Sequence, residues 1–105
     1  MREINDVKEF DEFIDSNKVT AVYFTAGWCG PCKFIGPEFE KLAKEYPDYT
    51  CVKLDVDKMA DIAQRYSITA LPTFIFFSNG EKLGDLSGAN TASLKQIFQK
   101  FKDST

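Results

Sequence analysis

Residues 19–32 read VTAVYFTAGWCGPC, and this stretch decides the fold. Its first half, Val19–Thr25, is rich in β-branched and aromatic residues, which predicts a strand buried on both faces of a sheet. The second half, Ala26–Cys32, forms a turn, and apolar residues at helical spacing follow it as far as Tyr46. A buried strand that passes through a turn into a helix indicates the α/β class.

Strand and helix patterns alternate on both sides of this stretch. The segments predicted as further strands are Thr50–Val56, Thr73–Ser78 and Lys82–Leu86, with a hairpin turn at Asn79-Gly80. The predicted helices begin at a cap on Asp6, run from the turn to Tyr46, span Lys58–Tyr66, and begin at a cap on Thr91. In the helix after the turn, one helical period links Phe34, Ile35, Phe39, Leu42 and Ala43. We therefore predict a mixed sheet, with parallel crossovers first and one antiparallel pair at the end.

Cysteine is the residue type to which the composition points, since the chain has three cysteines and no histidine. Without histidine there is neither a Ser-His-Asp triad nor a Cys-His pair, and zinc sites that use histidine are excluded. Three cysteines are also too few for a four-cysteine zinc site. The net charge of −3 does not provide the basic surface that nucleic acids require, so we expect no nucleic-acid partner.

The length of 105 residues fits one domain spanning residues 1–105, and ten Phe, four Tyr and one Trp supply its core. No stretch approaches the roughly 20 apolar residues that span a bilayer, and Met1–Asp6 has no signal-peptide pattern. An odd number of cysteines fits poorly with a secreted, fully paired scaffold. We expect a monomeric, cytoplasmic protein of a reducing compartment, with no membrane partner.

The segment Cys29-Gly30-Pro31-Cys32 lies between a buried strand and a helix, a context that predicts a redox dithiol. Cys29 is expected at the helix N-terminus, where free N–H groups and the macrodipole stabilise the nucleophilic thiolate. Cys32, about one turn later, is expected to be more buried and to resolve a mixed disulfide formed at Cys29. Pro31 fits the first helical turn, and the Gly30-Pro31 dipeptide limits the loop that sets how readily the pair oxidises.

Two other interpretations of this cysteine pair remain open. The pair could be half of a zinc site, but only Cys51 and carboxylates remain as further ligands. The pair could also be chemically inert, although its place at a strand-to-helix turn disfavours this. Of the three interpretations, the redox dithiol fits the sequence best.

The run Phe24–Lys33, read as FTAGWCGPCK, resembles the active-site run of thioredoxins. Leu71–Phe74 resembles the cis-proline segment of that family, and Gly88-Ala89 resembles its third substrate-facing loop. The resemblance extends over essentially all 105 residues. It implies the thioredoxin fold, an α/β fold with element order β-α-β-α-β-α-β-β-α and helices on both faces of a central mixed sheet.

The resemblance also implies the residues of the site and the function. It pairs Cys29 with Cys32 in a redox disulfide, makes the Leu71-Pro72 bond cis, and gathers a flat apolar docking patch. That patch would consist of Trp28, Gly30, Pro31, Leu71, Pro72, Gly88 and Ala89. The implied function is general protein-disulfide reduction and cell redox homeostasis, with no bound cofactor and with electrons from NADPH through thioredoxin reductase. The implied targets are ribonucleotide reductase, peroxiredoxins and methionine sulfoxide reductases.

Two alternative functions fit the same fold. One is a binding module that docks to partners without redox turnover. The other is an oxidase or isomerase of an oxidising compartment. The Gly30-Pro31 dipeptide and the absence of a signal-peptide pattern disfavour the second alternative.

The chain departs from the family pattern at Tyr23, where thioredoxins usually carry a buried aspartate. A tyrosine has a pKa near 10 and is a poor base near pH 7, so the role of proton acceptor is not transferred to it. Asp55 and Asp57 are candidates for a substitute relay through water. Cys51, in a predicted central strand, is interpreted as a buried free cysteine that packs like a small apolar residue.

Overall fold

The computed structural model describes residues 1–102, which form strands and helices in the order that the sequence predicts. The strands are β1 Arg2–Glu3, β2 Thr20–Thr25, β3 Thr50–Asp55, β4 Thr73–Ser78 and β5 Glu81–Ser87. The helices are α1 Val7–Ile14, α2 Gly30–Glu45, α3 Ala60–Arg65 and α4 Thr91–Lys100. Each strand from β2 to β5 begins and ends within one residue of its predicted bounds. The two-residue strand β1 is too short to leave an alternating pattern of its own.

The five strands form one sheet in the order β1-β3-β2-β4-β5. The pairs β1–β3 and β3–β2 are parallel, whereas β2–β4 and β4–β5 are antiparallel. The prediction of a mixed sheet is therefore confirmed, but it counted one antiparallel pair too few. The missed pair arises because β4 enters beside the central strand β2 in the opposite direction, before the hairpin begins. The end of β2, which leads into the cysteine segment, lies between two neighbouring strands.

Helices cover both faces of the sheet, as expected, and a hydrophobic core lies on each face. Alternate residues of β2 belong to one core or to the other. Ala21 and Tyr23 pack on the face covered by α2 and α4, whereas Val22 and Phe24 pack on the face covered by α1 and α3. All four side chains are buried, which confirms a strand buried on both sides. Tyr23 is thereby directed toward the helix that carries the cysteines.

The helix caps agree with the sequence in one case and correct it in another. Asp6 caps α1 as predicted, and its carboxylate accepts a hydrogen bond from the backbone N–H of Glu9 at 2.7 Å. At α4 the predicted cap Thr91 is wrong, because the side-chain oxygen of Asn90 accepts from the N–H of Ser93 at 2.9 Å. A cap residue bonds the N–H three positions later, so the cap at Asn90 makes Thr91 the first residue of the helix.

Asn79 and Gly80 both have positive φ, 54° and 78°, as a two-residue hairpin turn requires. The hairpin predicted between β4 and β5 is thus confirmed. Within residues 1–102, none of the helices combines the length and the apolar character that crossing a membrane demands.

Candidate active site

Cys29 is the N-cap residue of α2, and its backbone is extended, with φ −82° and ψ 108°. Its sulfur accepts a hydrogen bond from the backbone N–H of Cys32 at 3.2 Å. Pro31 lies in the first turn of the helix, where no backbone donor is needed. The expected position of Cys29 at a helix N-terminus is confirmed.

Cys29 and Cys32 are joined by a disulfide, with their Cα atoms 5.3 Å apart. Both cysteines are 3% exposed, so the expectation that Cys32 is the more buried of the two is wrong for the oxidised protein. The disulfide holds the two sulfurs side by side at one end of the helix, so both cysteines are buried from solvent to the same extent. The two residues differ in other ways. The backbone N–H and carbonyl of Cys32 both form hydrogen bonds, to the sulfur of Cys29 and the hydroxyl of Tyr23, and Cys32 lines a cavity that Cys29 does not line.

The peptide bond between Leu71 and Pro72 is cis, as the family resemblance implies. The carbonyl of Pro72 accepts a hydrogen bond from the N–H of Gly88 at 2.9 Å, which joins the two predicted docking loops. Leu71 and Ala89 are half-buried and pack against the core cluster that contains both cysteines. Pro72 is itself buried, so the accessible surface here belongs to the half-buried residues Leu71, Gly88 and Ala89.

Trp28 is 71% exposed and precedes the nucleophile candidate Cys29. Its indole Nε1 donates a hydrogen bond to a carboxylate oxygen of Asp57 at 2.9 Å. This bond fixes the indole over the loop that follows β3. It also engages the carboxylate of Asp57, one of the two groups predicted as a proton relay, with Trp28.

Phe34 is 67% exposed, although its helical period with core residues suggested a buried position. It lies one turn after the exposed Gly30 and one turn before Glu38, whose carboxylate is 3.7 Å from the ammonium of Lys95 on α4. Phe34 is therefore on the α4 side of the helix end, away from the β3 loop that holds Trp28. The sequence contained a signal for this exposure, since the residues three and four positions away are glycine, proline or glutamate.

Tyr23 is 4% exposed and reaches the cysteine segment from the central strand. Its hydroxyl donates a hydrogen bond to the backbone carbonyl of Cys32 at 2.8 Å. Burial raises the pKa of Tyr23, the charge of Glu40 raises it further, and the side chain of Thr25 partly opposes this. Tyr23 therefore stays protonated near neutral pH and does not act as a base, as the sequence predicts.

A cavity of about 390 Å³ borders Cys32 and Tyr23. Its charged lining residues are Glu3, Lys33, Glu40, Lys53, Asp55 and Lys58. Asp55 and Cys32 therefore line the same cavity. The role of Asp55 as a proton relay stays a prediction. Within residues 1–102, no group of three His, Cys, Asp or Glu side chains is arranged to hold a metal ion.

Cys51 is half-buried in β3, less deeply than the buried position the sequence suggested. Its burial still raises the pKa of its thiol to about 12. At pH 8 this leaves about one molecule in ten thousand as thiolate, the reactive form.

We therefore expect iodoacetamide at pH 8 to alkylate Cys29 of the reduced protein, whose thiolate the helix N-terminus stabilises, and to leave Cys51 unmodified. Intact mass with peptide mapping measures this directly. Unfolded protein, in which Cys51 regains an ordinary pKa, provides the control and should take up three groups. Labelling of Cys51 in the folded protein at a rate similar to that of Cys29 would contradict the expectation.

Similarity to known proteins agrees with this geometry. The family model for thioredoxin matches residues 2–100. Thioredoxin-1 of Saccharomyces cerevisiae is 44% identical over 90 residues, which cover 86% of this chain and 87% of the yeast protein. Among solved structures, the thioredoxin of Malassezia sympodialis has a TM-score of 0.93 at 37% identity, covering 96% of this chain and 92% of that one. The thioredoxin of Plasmodium falciparum has a TM-score of 0.93 at 38% identity, covering 96% and 99%. A cysteine pair that caps a helix at the end of the central strand, in a chain this similar, means that the chain belongs to the thioredoxin family of dithiol–disulfide oxidoreductases.

Proposed function

We propose that the chain is a general protein-disulfide reductase in which Cys29 is the nucleophile and Cys32 is the resolving residue. The observation that carries the proposal is the disulfide at the N-terminus of α2, with the sulfur of Cys29 accepting an N–H from within the helix. A thiolate at this atom would gain from the hydrogen bond and from the macrodipole.

The proposed exchange takes place in two steps. The thiolate of Cys29 attacks one sulfur of a substrate disulfide, forms a mixed disulfide, and releases the other substrate sulfur as a thiolate. Cys32 then loses its proton and attacks the sulfur of Cys29. This step closes the Cys29–Cys32 disulfide and releases the second substrate thiolate, so that two electrons pass to the substrate and the protein is oxidised.

The proposed docking patch surrounds the disulfide and consists of Trp28, Gly30, Pro31, Leu71, Pro72, Gly88 and Ala89. Leu71 lies before the start of β4, and we propose that its backbone pairs with an extended substrate segment. Pro72, which follows Leu71 through a cis peptide bond, is buried. Phe34 is 67% exposed, and we propose that it extends this apolar surface.

The partners proposed for the chain follow from its family. Re-reduction would use electrons from NADPH through thioredoxin reductase, with no cofactor bound to the chain. The targets proposed are peroxiredoxins, ribonucleotide reductase and methionine sulfoxide reductases. One similar solved chain, 36% identical with a TM-score of 0.90, comes from work on thiol resolution in a yeast mitochondrial 1-Cys peroxiredoxin via glutathione/thioredoxin systems.

We also propose that residues 1–105 act as one monomeric thioredoxin domain in the cytoplasm. The unpaired Cys51 is compatible with a reducing compartment. Relatives include Thioredoxin O1, mitochondrial, of Arabidopsis thaliana, so imaging of the tagged full chain in its own cells distinguishes the two compartments.

The proposed function is tested by insulin-disulfide reduction together with the equilibrium potential of the cysteine pair. Trp28 is the single tryptophan and adjoins Cys29, so its fluorescence reports the redox state in dithiothreitol or glutathione buffers. A strongly reducing potential with insulin turnover supports a reductase. A potential near those of oxidising enzymes, or docking to partners without turnover, overturns it.

Replacing Phe34 by serine is expected to lower kcat/KM for protein disulfides by about three- to tenfold, because an exposed aromatic ring of the docking surface is lost. The rate with a small aromatic disulfide, which needs no such surface, should be unchanged. Phe34→Leu, which keeps an apolar side chain, is the matched control and should retain most of the activity. Equal loss with both kinds of substrate would place the effect at the cysteines instead of the docking surface.

A further inference from the structure

Both backbone polar groups of Cys32 are fixed by partners near the disulfide. Its N–H donates to the sulfur of Cys29 at 3.2 Å, and its carbonyl accepts from the hydroxyl of Tyr23 at 2.8 Å. The first bond depends on the chemical state of a sulfur that reacts in every cycle. The second bond involves no sulfur atom, so it can persist in the disulfide, in the dithiol and in the mixed disulfide.

The side chain of Tyr23 is itself rigidly held. Its ring stacks on that of Phe74, with centroids 5.1 Å apart and planes inclined by 15°, and it contacts the ring of Phe39 at 5.3 Å. Phe74 belongs to the neighbouring strand β4 and Phe39 to α2, so the hydroxyl is fixed relative to both the sheet and the helix. The raised pKa of Tyr23 keeps the hydroxyl a donor through the neutral range.

The position of Cys32 matters most when no covalent bond holds it near Cys29. In the mixed disulfide, its thiol must attack the sulfur of Cys29 from within the protein. The rate of such an intramolecular step depends on how closely the resting geometry matches the reacting geometry. A hydrogen bond that holds the peptide unit of Cys32 therefore favours attack over drift of the thiol away from Cys29.

We propose that Tyr23 is a positioning residue for the resolving cysteine: its hydroxyl holds the carbonyl of Cys32 and keeps that thiol aligned with Cys29 in the mixed disulfide. The inference rests on the proposed function, because it assigns the second step of that exchange to Cys32. It gives Tyr23 a role that depends on the direction of its hydroxyl, and not on proton transfer.

The test is Tyr23→Phe, which removes only the hydroxyl and keeps the ring between Phe74 and Phe39. The reduced protein is mixed with an excess of a chromogenic aromatic disulfide in a stopped-flow instrument. Attack by Cys29 releases one coloured thiolate, and attack by Cys32 on the resulting mixed disulfide releases the second. We expect the first phase to be unchanged and the second to slow by about two- to tenfold, the range of a typical hydrogen bond.

Tyr49→Phe is the matched control. Tyr49 also donates from a buried hydroxyl to a helix carbonyl, that of Phe98, and it belongs to neither the cysteine segment nor the cavity beside Cys32. Unfolding in urea verifies that both variants are folded and compares their stability. A slowed second phase in Tyr23→Phe alone supports the proposal. Unchanged resolution in Tyr23→Phe, equal slowing of both phases, or equal slowing in Tyr49→Phe overturns it.

The proposed function can fail separately from this inference. If the wild-type protein reduces no protein disulfide, general disulfide reduction is refuted. The stopped-flow comparison, which uses a small disulfide, still decides the role of Tyr23. If the second phase is absent in the wild-type protein, Cys32 does not resolve mixed disulfides, and both ideas are refuted.

Discussion

Reduced Cys32→Ser protein is expected to stop at a mixed disulfide, and release of reduced substrate is expected to fall by more than about a hundredfold. In the proposed cycle, the only nearby thiol able to attack the sulfur of Cys29 is that of Cys32. The remaining cysteine, Cys51, lies on β3 with a pKa of about 12, so it supplies almost no thiolate. A serine hydroxyl keeps the size of the side chain but does not attack a disulfide near neutral pH.

The measurement is a single turnover with insulin and no added thiol. Mass spectrometry should show the protein and one insulin molecule joined in a covalent adduct, which dithiothreitol releases. Cys51→Ala is the control and should release reduced insulin at the wild-type rate. Substantial release from Cys32→Ser without an accumulated adduct would show that another group resolves the intermediate.

The fold was predictable because its strands and helices repeat the same local signals. The run Thr73–Ser78 is β-branched and aromatic throughout, and it forms β4 with the predicted bounds. Asn79-Gly80 is a local turn signal that does not depend on distant contacts, and it forms the hairpin. The cysteine pair was predictable for a similar reason, since a helix N-terminus can be located from the strand and turn before it.

Features that depend on packing between elements were not predictable in the same way. The sequence shows that Tyr23 carries a hydroxyl, but its partner depends on how α2 lies across β2, which brings the carbonyl of Cys32 within 2.8 Å. The second antiparallel pairing of the sheet likewise depends on where the connection after α3 places β4. Phe34 is a different case. Its apolar side chain fits the helical period of the core residues, but in the structure it is exposed to solvent.

Replacing Tyr23 by aspartate is expected to lower the free energy of unfolding by about 3 kcal/mol or more. The substitution removes a buried ring that packs on Phe39 and Phe74, and it loses the hydroxyl bond to Cys32. It also places a carboxyl group where desolvation favours the neutral form. Tyr23→Asn loses the same ring and introduces a neutral group of similar size, so the difference between the two variants isolates the effect of charge.

That difference should depend on pH in a defined direction. Burial would raise the pKa of the new carboxyl in the folded protein above its unfolded value of about 3.9. The folded state would then bind the proton more tightly, so the carboxyl destabilises least below pH 4 and increasingly as the pH rises through the raised pKa. Urea unfolding at pH 4 and pH 8 should therefore show Tyr23→Asp falling further below Tyr23→Asn at the higher pH. The wild-type tyrosine adds no such slope between these values, since its raised pKa keeps it protonated.

The same pair of variants tests whether the tyrosine slows the attack of Cys32 on the mixed disulfide. A carboxylate beside Cys32 can accept the proton that the resolving thiol must lose, which the protonated tyrosine cannot do. We therefore expect the second phase of the aromatic-disulfide reaction to be faster in Tyr23→Asp than in Tyr23→Asn at neutral pH, and to gain a titration step at the raised pKa of the carboxyl. If both variants have the same rates and pH profiles, a carboxylate at position 23 does not assist the loss of the proton from Cys32. In that case the proton of Cys32 leaves independently of position 23, and the cavity that Cys32 shares with Asp55 and Glu40 is the route to examine next.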